Sequence, residues 1–114
     1  MVAPAVGAVA LVRFPFSDLS QTKLRPAVVL AEAGRGDWIL CQVTSKSYGD
    51  VRAIKIANAD FASGSLRVTS YARPGKLFTA NRELVAIEVG KLKVEPFTRI
   101  VDAVLDLLRA GRSQ

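Results

Sequence analysis

Two arginines of the sequence stand directly before a proline, in Arg25-Pro26 and Arg73-Pro74. Proline biases the preceding residue toward an extended backbone, so each arginine is held on a stiffened stretch of chain. A guanidinium group is permanently charged and presents a planar fork of donors that binds phosphate through two hydrogen bonds. The guanidinium group of either arginine could therefore bind a phosphate. It can equally be a solvated side chain at the start of a strand, where proline is tolerated because no hydrogen bond need be donated.

Two hydroxyl residues, Thr44 and Ser45, close the apolar segment WILCQVTS (38–45). Hydroxyl groups at the end of a strand can contact a phosphate. They also occur in ordinary turns, where they bond to the neighbouring backbone. The residue types alone leave both interpretations open.

The absence of several residue types limits the chemistry that these side chains could perform. The sequence has no histidine and one cysteine, Cys41, which argues against zinc sites and against Cys–His or Ser–His–Asp nucleophiles. It has no GxxxxGK or GxGxxG phosphate loop, and its carboxylates are spread along the chain. We therefore expect neither a cofactor nor a metal. The single cysteine also fits a reducing cytosol.

RNA is a substrate that can be cleaved under these restrictions. Its 2′-hydroxyl is a nucleophile next to the scissile phosphate, whereas DNA hydrolysis needs an activated water, usually on a metal. An enzyme acting on RNA has to align that oxygen, stabilise negative charge and move two protons. A basic domain without histidine is compatible with this reaction and poorly compatible with most other hydrolyses.

The overall charge of the chain points to an anionic partner. Lys and Arg total 16 against 10 Asp and Glu, which gives a formal net charge of +6. Such an excess favours nucleic acid, whether RNA or DNA, an acidic protein segment or a membrane surface. The basic residues are scattered along the chain, so we expect a folded basic surface rather than a charged tail.

The elements that must position these residues are mostly strands of one domain, residues 1–114. The segments FSDLSQTKLR (16–25) and NADFASGSL (58–66) are predicted to be loops. Several short strands with brief turns favour a small barrel or sandwich. The predicted strands are VGAVALVRFPF (6–16), PAVVLAEA (26–33), WILCQVTS (38–45), VRAIKIA (51–57), one or two in RVTSYARPGKLFTA (67–80), and LVAIEVGKL (84–92).

The apolar opening MVAPAVGAVALV could be a signal peptide, but no basic residue precedes it, so we interpret it as the first strand. No stretch has the roughly 20 apolar residues that a membrane helix needs. We expect a soluble cytoplasmic protein that does not bind membranes.

The C-terminal segment EPFTRIVDAVLDLLRAG (95–111) predicts an amphipathic helix. Pro96 suits a first helical turn, and Gly111 is a plausible end. The helix is expected to pack on the sheet, or else to dock against a second subunit. Its apolar residues recur at helical spacing: Phe97, Ile100, Val101, Val104, Leu105 and Leu108.

The order of several short motifs resembles the PemK/MazF toxins of bacterial type II toxin–antitoxin systems, in particular the PemK-like branch. The motifs are VRFPFSDLSQTKLRPAVVL, WILCQVTS, SYARPGKLFTAN and VGKL before a terminal helix. The resemblance extends from Val6 to Leu108.

The resemblance implies an SH3-like small β-barrel with a C-terminal helix, assembled as a homodimer. It also implies a sequence-specific, metal-independent endoribonuclease, or mRNA interferase, acting on single-stranded RNA. Such enzymes leave 2′,3′-cyclic phosphate and 5′-hydroxyl ends, and a cognate antitoxin with a flexible, acidic segment blocks them.

The same resemblance implies roles for individual residues. The arginine of the family's RP motif falls on Arg25, which is expected to act on the scissile phosphate and as a candidate general acid. Thr44 and Ser45 are expected to contact the phosphate or the transition state. A second family arginine falls on Arg73, whereas the acidic residue two positions later is replaced by Gly75.

Other side chains are candidates for binding RNA, with a solvated surface as the alternative for the lysines. Tyr48 or Phe16 could stack on a base, although Phe16 could equally pack in the core. The identity of the general base stays open. The candidate RNA-binding residues are Asp18, Gln21, Lys23, Lys46, Tyr48 and Lys76.

Two other functions use the same fold. One is a non-catalytic protein that binds a target such as gyrase, like the CcdB type, although the C-terminal DLLRAGRSQ lacks the aromatic contacts of those poisons. The other is a degenerate toxin that binds its antitoxin without cutting RNA. The missing histidine and Gly75 leave room for this alternative.

Overall fold

A computed structural model describes residues 4–15, 22–47 and 49–113 of the chain. Within these ranges, seven strands, two short 3-10 helices and one α-helix follow one another. The strands are β1 (Ala8–Pro15), β2 (Thr22–Gly34), β3 (Asp37–Thr44), β4 (Ile54–Ile56), β5 (Phe61–Gly64), β6 (Ser70–Asn81) and β7 (Val85–Leu92). The 3-10 helices span Asn58–Asp60 and Arg82–Leu84, and the α-helix α1 spans Val94–Arg112.

The strands form one antiparallel sheet in the order β4-β6-β3-β2-β1-β7-β5. Within the described ranges the two edge strands, β4 and β5, do not pair with each other, so the sheet is open. The predicted class, mainly β with a C-terminal helix, is confirmed. The sheet curls around a core as a small barrel does, but it does not close.

The main core receives a residue from every strand and from the helix. Its members are Val9, Val28, Cys41, Val43, Ile56, Phe61, Ala72, Leu92 and Ile100. A second apolar cluster on the other face of the sheet contains Ala8, Ala10, Val12, Ala27, Val29, Trp38, Leu40 and Ala80. Because side chains alternate between the faces of a strand, β1, β2 and β3 feed both clusters and read as nearly continuous apolar runs. Cys41 lies in the main core, and Trp38 lies in the second cluster.

The helix packs on the sheet as predicted, with Ile100 fully buried. It begins at Val94 and ends one residue beyond Gly111, the predicted end. The guanidinium of Arg99 lies 3.5 Å from Asp60 and so ties the helix to the segment before β5. Towards its end the packed face departs from the predicted stripe, because Leu108 is 58% exposed.

Two segments differ from the sequence-based prediction. The segment 16–25 was predicted to be a loop, but the strand β2 begins at Thr22. Arg25 therefore lies inside a strand, opposite Val12 of β1, and not at the start of a strand. The predicted loop 58–66 contains a 3-10 turn and β5, which pairs with β7. Both differences come from pairing with distant strands, which local composition does not report.

Among the described residues, no helix is long and apolar enough to cross a membrane.

A close approach of two strands requires glycine at position 90. A Cβ atom there would lie 2.7 Å from both the Ser63 carbonyl oxygen and the Phe61 ring. We expect Gly90→Ala to lower the free energy of unfolding by about 1–3 kcal/mol, because a fixed backbone atom must move. At Gly75 a Cβ would meet Leu107 at 3.7 Å and, apart from its chain neighbours, no other atom of the described residues within 4 Å. Gly75→Ala is therefore the matched control, and urea unfolding of both variants checks the difference. Equal midpoints would contradict this account.

Candidate functional site

A groove forms where strands β2 and β3 separate. Their ladder begins at the pair Ala27–Gln42, immediately after Pro26, which has no N–H to donate. On the groove side of that pair, β2 continues alongside β1 while β3 continues alongside β6. In this stretch Arg25 lies opposite Val12, and Thr44 lies opposite Tyr71. The end of the ladder thus opens a gap between two rigid strands.

The groove has a volume of about 400 Å³. Three of its lining residues are basic: Lys23 and Lys46 are exposed, and Arg25 is half-buried. No Asp or Glu belongs to the described lining, so the charge facing the groove is positive. The lining residues are Lys23, Leu24, Arg25, Pro26, Val43, Thr44, Ser45, Lys46, Leu66, Val68 and Ser70.

The hydroxyl residues at the end of β3 belong to this groove and to a turn at the same time. The Thr44 hydroxyl oxygen accepts a hydrogen bond of 3.2 Å from the backbone N–H of Lys46. Ser45 is exposed between them. The turn allowed by the sequence is therefore present, and the threonine that forms it lines the same groove as Arg25.

The opposite wall comes from the segment before β6, and sequence analysis missed it. Leu66 and Val68 line the groove from there, and Ser70 lines it from the first position of β6. Arg67 adopts a left-handed backbone with φ of 69°, which is uncommon for a residue other than glycine. Its N–H donates to the Ser65 hydroxyl over 2.8 Å. No motif marks these residues, because the chain returns to the groove only through the pairing of β6 with β3.

Arg73 lies in a different arrangement. Its Nε donates to Oδ2 of Asp50 over 3.1 Å, and the two side chains are 23% and 18% exposed. The pKa of Asp50 is lowered, chiefly because the Arg52 backbone N–H donates to its carboxylate and next because Arg73 does so. The carboxylate is therefore ionised at neutral pH.

The backbone of Arg73 is fixed from the core side. The thiol of Cys41 donates to the Arg73 carbonyl oxygen over 3.2 Å. Burial raises the pKa of Cys41 to about 12, so this group remains a neutral thiol. Between the pairs Val43–Ala72 and Cys41–Leu77, β6 bulges away from the regular ladder, and Arg73 begins that bulge.

Several predicted site residues meet in the structure. Arg25, Thr44 and Ser45 lie in the groove together with Lys23 and Lys46. Arg73 and the exposed Lys76 do not line it. The remaining candidates lie outside the described residues: Phe16, Asp18, Gln21 and Tyr48.

The described residues contain no group of three or more Cys, Asp or Glu side chains placed to hold a metal ion. The groups that the groove presents to a ligand are the hydroxyl groups of Thr44, Ser45 and Ser70, and three positively charged side chains. Such an arrangement can bind phosphate groups of an extended polyanion through charge-assisted hydrogen bonds.

The fold is similar to that of solved toxin structures. A MazE–MazF complex from Deinococcus radiodurans (Form-III) superposes with a TM-score of 0.76 at 19% identity, covering 94% of this chain and 97% of that chain. MazF from the same organism (Form-I) gives a TM-score of 0.73 at 20% identity, covering 95% and 98%. An endoribonuclease from a mycobacterial species gives 0.70 at 17% identity, covering 95% and 93%. No protein-family model and no curated protein sequence matches the chain. The chain has the MazF toxin fold.

Proposed function

We propose that this protein is a MazF-like endoribonuclease toxin of a type II toxin–antitoxin system, which cleaves single-stranded RNA in the groove between β2 and β3. The observation that carries the proposal is the convergence of Arg25, Thr44 and Ser45 in one positively charged groove. The similarity to MazF structures over nearly the whole chain supports it. The two exposed lysines of the groove lining, Lys23 and Lys46, can contact phosphates of an extended RNA strand.

The proposed reaction is an attack of the RNA 2′-oxygen on the adjacent phosphorus. The 2′-oxygen–phosphorus bond forms, the bond from phosphorus to the 5′-oxygen of the next nucleotide breaks, and a 2′,3′-cyclic phosphate results. The 2′-hydroxyl loses a proton to a base, and the leaving 5′-oxygen gains one to become a hydroxyl. No metal takes part in this scheme.

Each groove residue has a place in that reaction. Arg25 holds the scissile phosphate and stabilises the charge that grows on its oxygens in the transition state. Thr44 and Ser45 donate hydroxyl hydrogen bonds to the same phosphate. Lys23 and Lys46 neutralise flanking phosphates and so contribute affinity rather than sequence preference. We assign Arg73 no contact with the scissile phosphate, because it does not line the groove.

The positive groove also accounts for a protein partner. An acidic, flexible segment of an antitoxin would compete with RNA for Lys23, Arg25 and Lys46, because both ligands are extended polyanions. Complexes of MazF with MazE, and of a mycobacterial endoribonuclease with its cognate antitoxin, are among the similar structures. We propose an antitoxin partner of this kind, and a homodimer as the assembled form.

A toxin-fold protein that binds its antitoxin without cutting RNA is the second candidate. It is favoured by one observation: the described lining of the groove contains no carboxylate or imidazole that could accept the 2′-hydroxyl proton. This candidate predicts RNA binding without cleavage.

Incubation of the purified protein with a long, structurally varied RNA in EDTA separates the two candidates. Cleavage with 2′,3′-cyclic phosphate and 5′-hydroxyl ends, mapped by end-specific ligation and sequencing, is the expected result. Intact RNA after prolonged incubation with excess protein would overturn the proposed enzyme. Cleavage only after Mg²⁺ is added would overturn the metal-independent scheme.

A further inference from the structure

A partly buried ion pair joins β6 to the segment 45–53, which connects β3 to β4. It is the pair between Arg73 Nε and Asp50 Oδ2, at 3.1 Å. Both side chains are more than three-quarters buried, whereas the side chains of the Arg109–Asp106 pair on the helix are 68% and 72% exposed. Burial protects the Asp50–Arg73 pair from screening by solvent and salt. It is therefore suited to hold two segments together.

Asp50 also organises the segment that carries it. Its Oδ1 accepts a hydrogen bond of 2.9 Å from the Arg52 backbone N–H. Its own N–H donates to the Ser47 carbonyl oxygen over 3.0 Å, and its carbonyl oxygen accepts from the Ala53 N–H over 3.1 Å. Two successive turns thus converge on this one residue. Loss of its carboxylate would affect the backbone on both sides.

Arg73 provides a fixed point on the other side of the pair. The preceding residue, Ala72, is fully buried and belongs to the main core, and the following Pro74 is fully buried as well. The Cys41 thiol holds the Arg73 carbonyl group. The arginine therefore has little freedom to follow a mobile partner, so the pair restrains Asp50.

The restrained segment begins with residues of the groove. Ser45 and Lys46 follow the last residue of β3 directly, line the groove and are exposed. The pairing of Thr44 with Tyr71 fixes the segment at its start, and Asp50 fixes it five residues beyond Ser45. Between these anchors the chain has only a short path.

We propose that the Asp50–Arg73 pair is a clasp that positions Ser45 and Lys46 in the groove, and that Arg73 acts on RNA through this clasp rather than by touching the phosphate. The proposal rests on the proposed function. It makes both Asp50 and Arg73 positioning residues. Asp50, which no sequence motif marks, thereby holds the segment that carries Ser45 and Lys46.

The test compares Asp50→Asn, Arg73→Gln and the double variant with the wild type. Asp50→Asn retains an oxygen for the Arg52 N–H while it removes the charge. Hydrogen exchange of residues 45–53 is measured by mass spectrometry, and RNA cleavage is measured as separate kcat and KM values. Asp106→Asn is the matched control, because it removes the charge of an exposed pair on the helix.

We expect both single variants to accelerate exchange in residues 45–53 by about tenfold or more, the usual effect of one hydrogen bond to a charged group. The double variant should show no further acceleration, because both changes break the same contact. Cleavage should fall to a similar extent in all three variants, with KM raised because Lys46 is displaced. Asp106→Asn should match the wild type in both measurements.

Unchanged exchange in Asp50→Asn would overturn the clasp. Faster exchange with wild-type cleavage would overturn the positioning of Ser45 and Lys46. A far larger loss of kcat in Arg73→Gln than in Asp50→Asn would show that Arg73 touches the RNA, which also overturns the proposal. If the wild type cleaves no RNA, the proposed function fails, and the exchange data still decide whether the pair holds the segment.

Discussion

Replacing Arg25 with alanine is expected to slow RNA cleavage by a factor of about 10²–10³ or more, the usual cost of removing one preorganised donor from a developing negative charge. Arg25 lies on a paired strand and is half-buried at the groove. The backbone that carries its guanidinium group is therefore fixed before RNA binds. Single-turnover cleavage of a labelled oligonucleotide in EDTA measures the rate.

The controls separate charge from geometry. Arg25→Lys keeps the charge but loses the planar fork, so we expect an intermediate rate. Arg13→Ala removes an equal charge from an exposed position of β1 outside the groove lining and should cleave as the wild type does. A wild-type rate for Arg25→Ala would refute the role given to this arginine while leaving the fold assignment intact.

The second large effect concerns stability. Ile100 is fully buried, with 0% of its surface exposed. It packs the helix against a core to which every strand contributes a residue. Ile100→Ala is expected to reduce the free energy of unfolding by about 2–5 kcal/mol, because it removes buried methyl groups and leaves a cavity. That is a large share of the roughly 5–15 kcal/mol typical of a domain. Urea unfolding followed by circular dichroism measures the change.

Leu108→Ala is the matched control on the same helix. The Leu108 side chain is 58% exposed, so its truncation should cost less than about 1 kcal/mol. If the two variants unfold at the same urea concentration, the helix does not contribute to the core through Ile100.

The strand content and the groove were predictable to different degrees. Nearly continuous apolar runs mark β1, β2 and β3, because both faces of these strands are buried, and the helical period marks α1, because one face of the helix is buried. Arg25, Thr44 and Ser45 were predicted to act together from the order of the motifs. Their proximity depends on the end of the β2–β3 ladder beside Pro26, which is a consequence of register.

The remaining features depend on contacts that are distant in sequence. Leu66 and Val68 form a groove wall only because β6 returns to β3, and nothing in their own segment indicates this. Likewise, Asp50 lies 23 residues before Arg73, and their pairing requires both the turn at Asp50 and the bulge in β6. Single-sequence patterns describe neighbours within a turn or a strand. They do not report which loop reaches which strand.

The open sheet has a consequence for how copies of this protein meet one another. Its edges are short: β4 has three residues, and β5 has four with an irregular register against β7. Long, flat edges invite intermolecular strand pairing, whereas short and irregular ones discourage it. We therefore expect this toxin-fold protein to remain free of fibrous aggregation at high concentration, and any assembly of copies to use the faces of the sheet rather than to extend it.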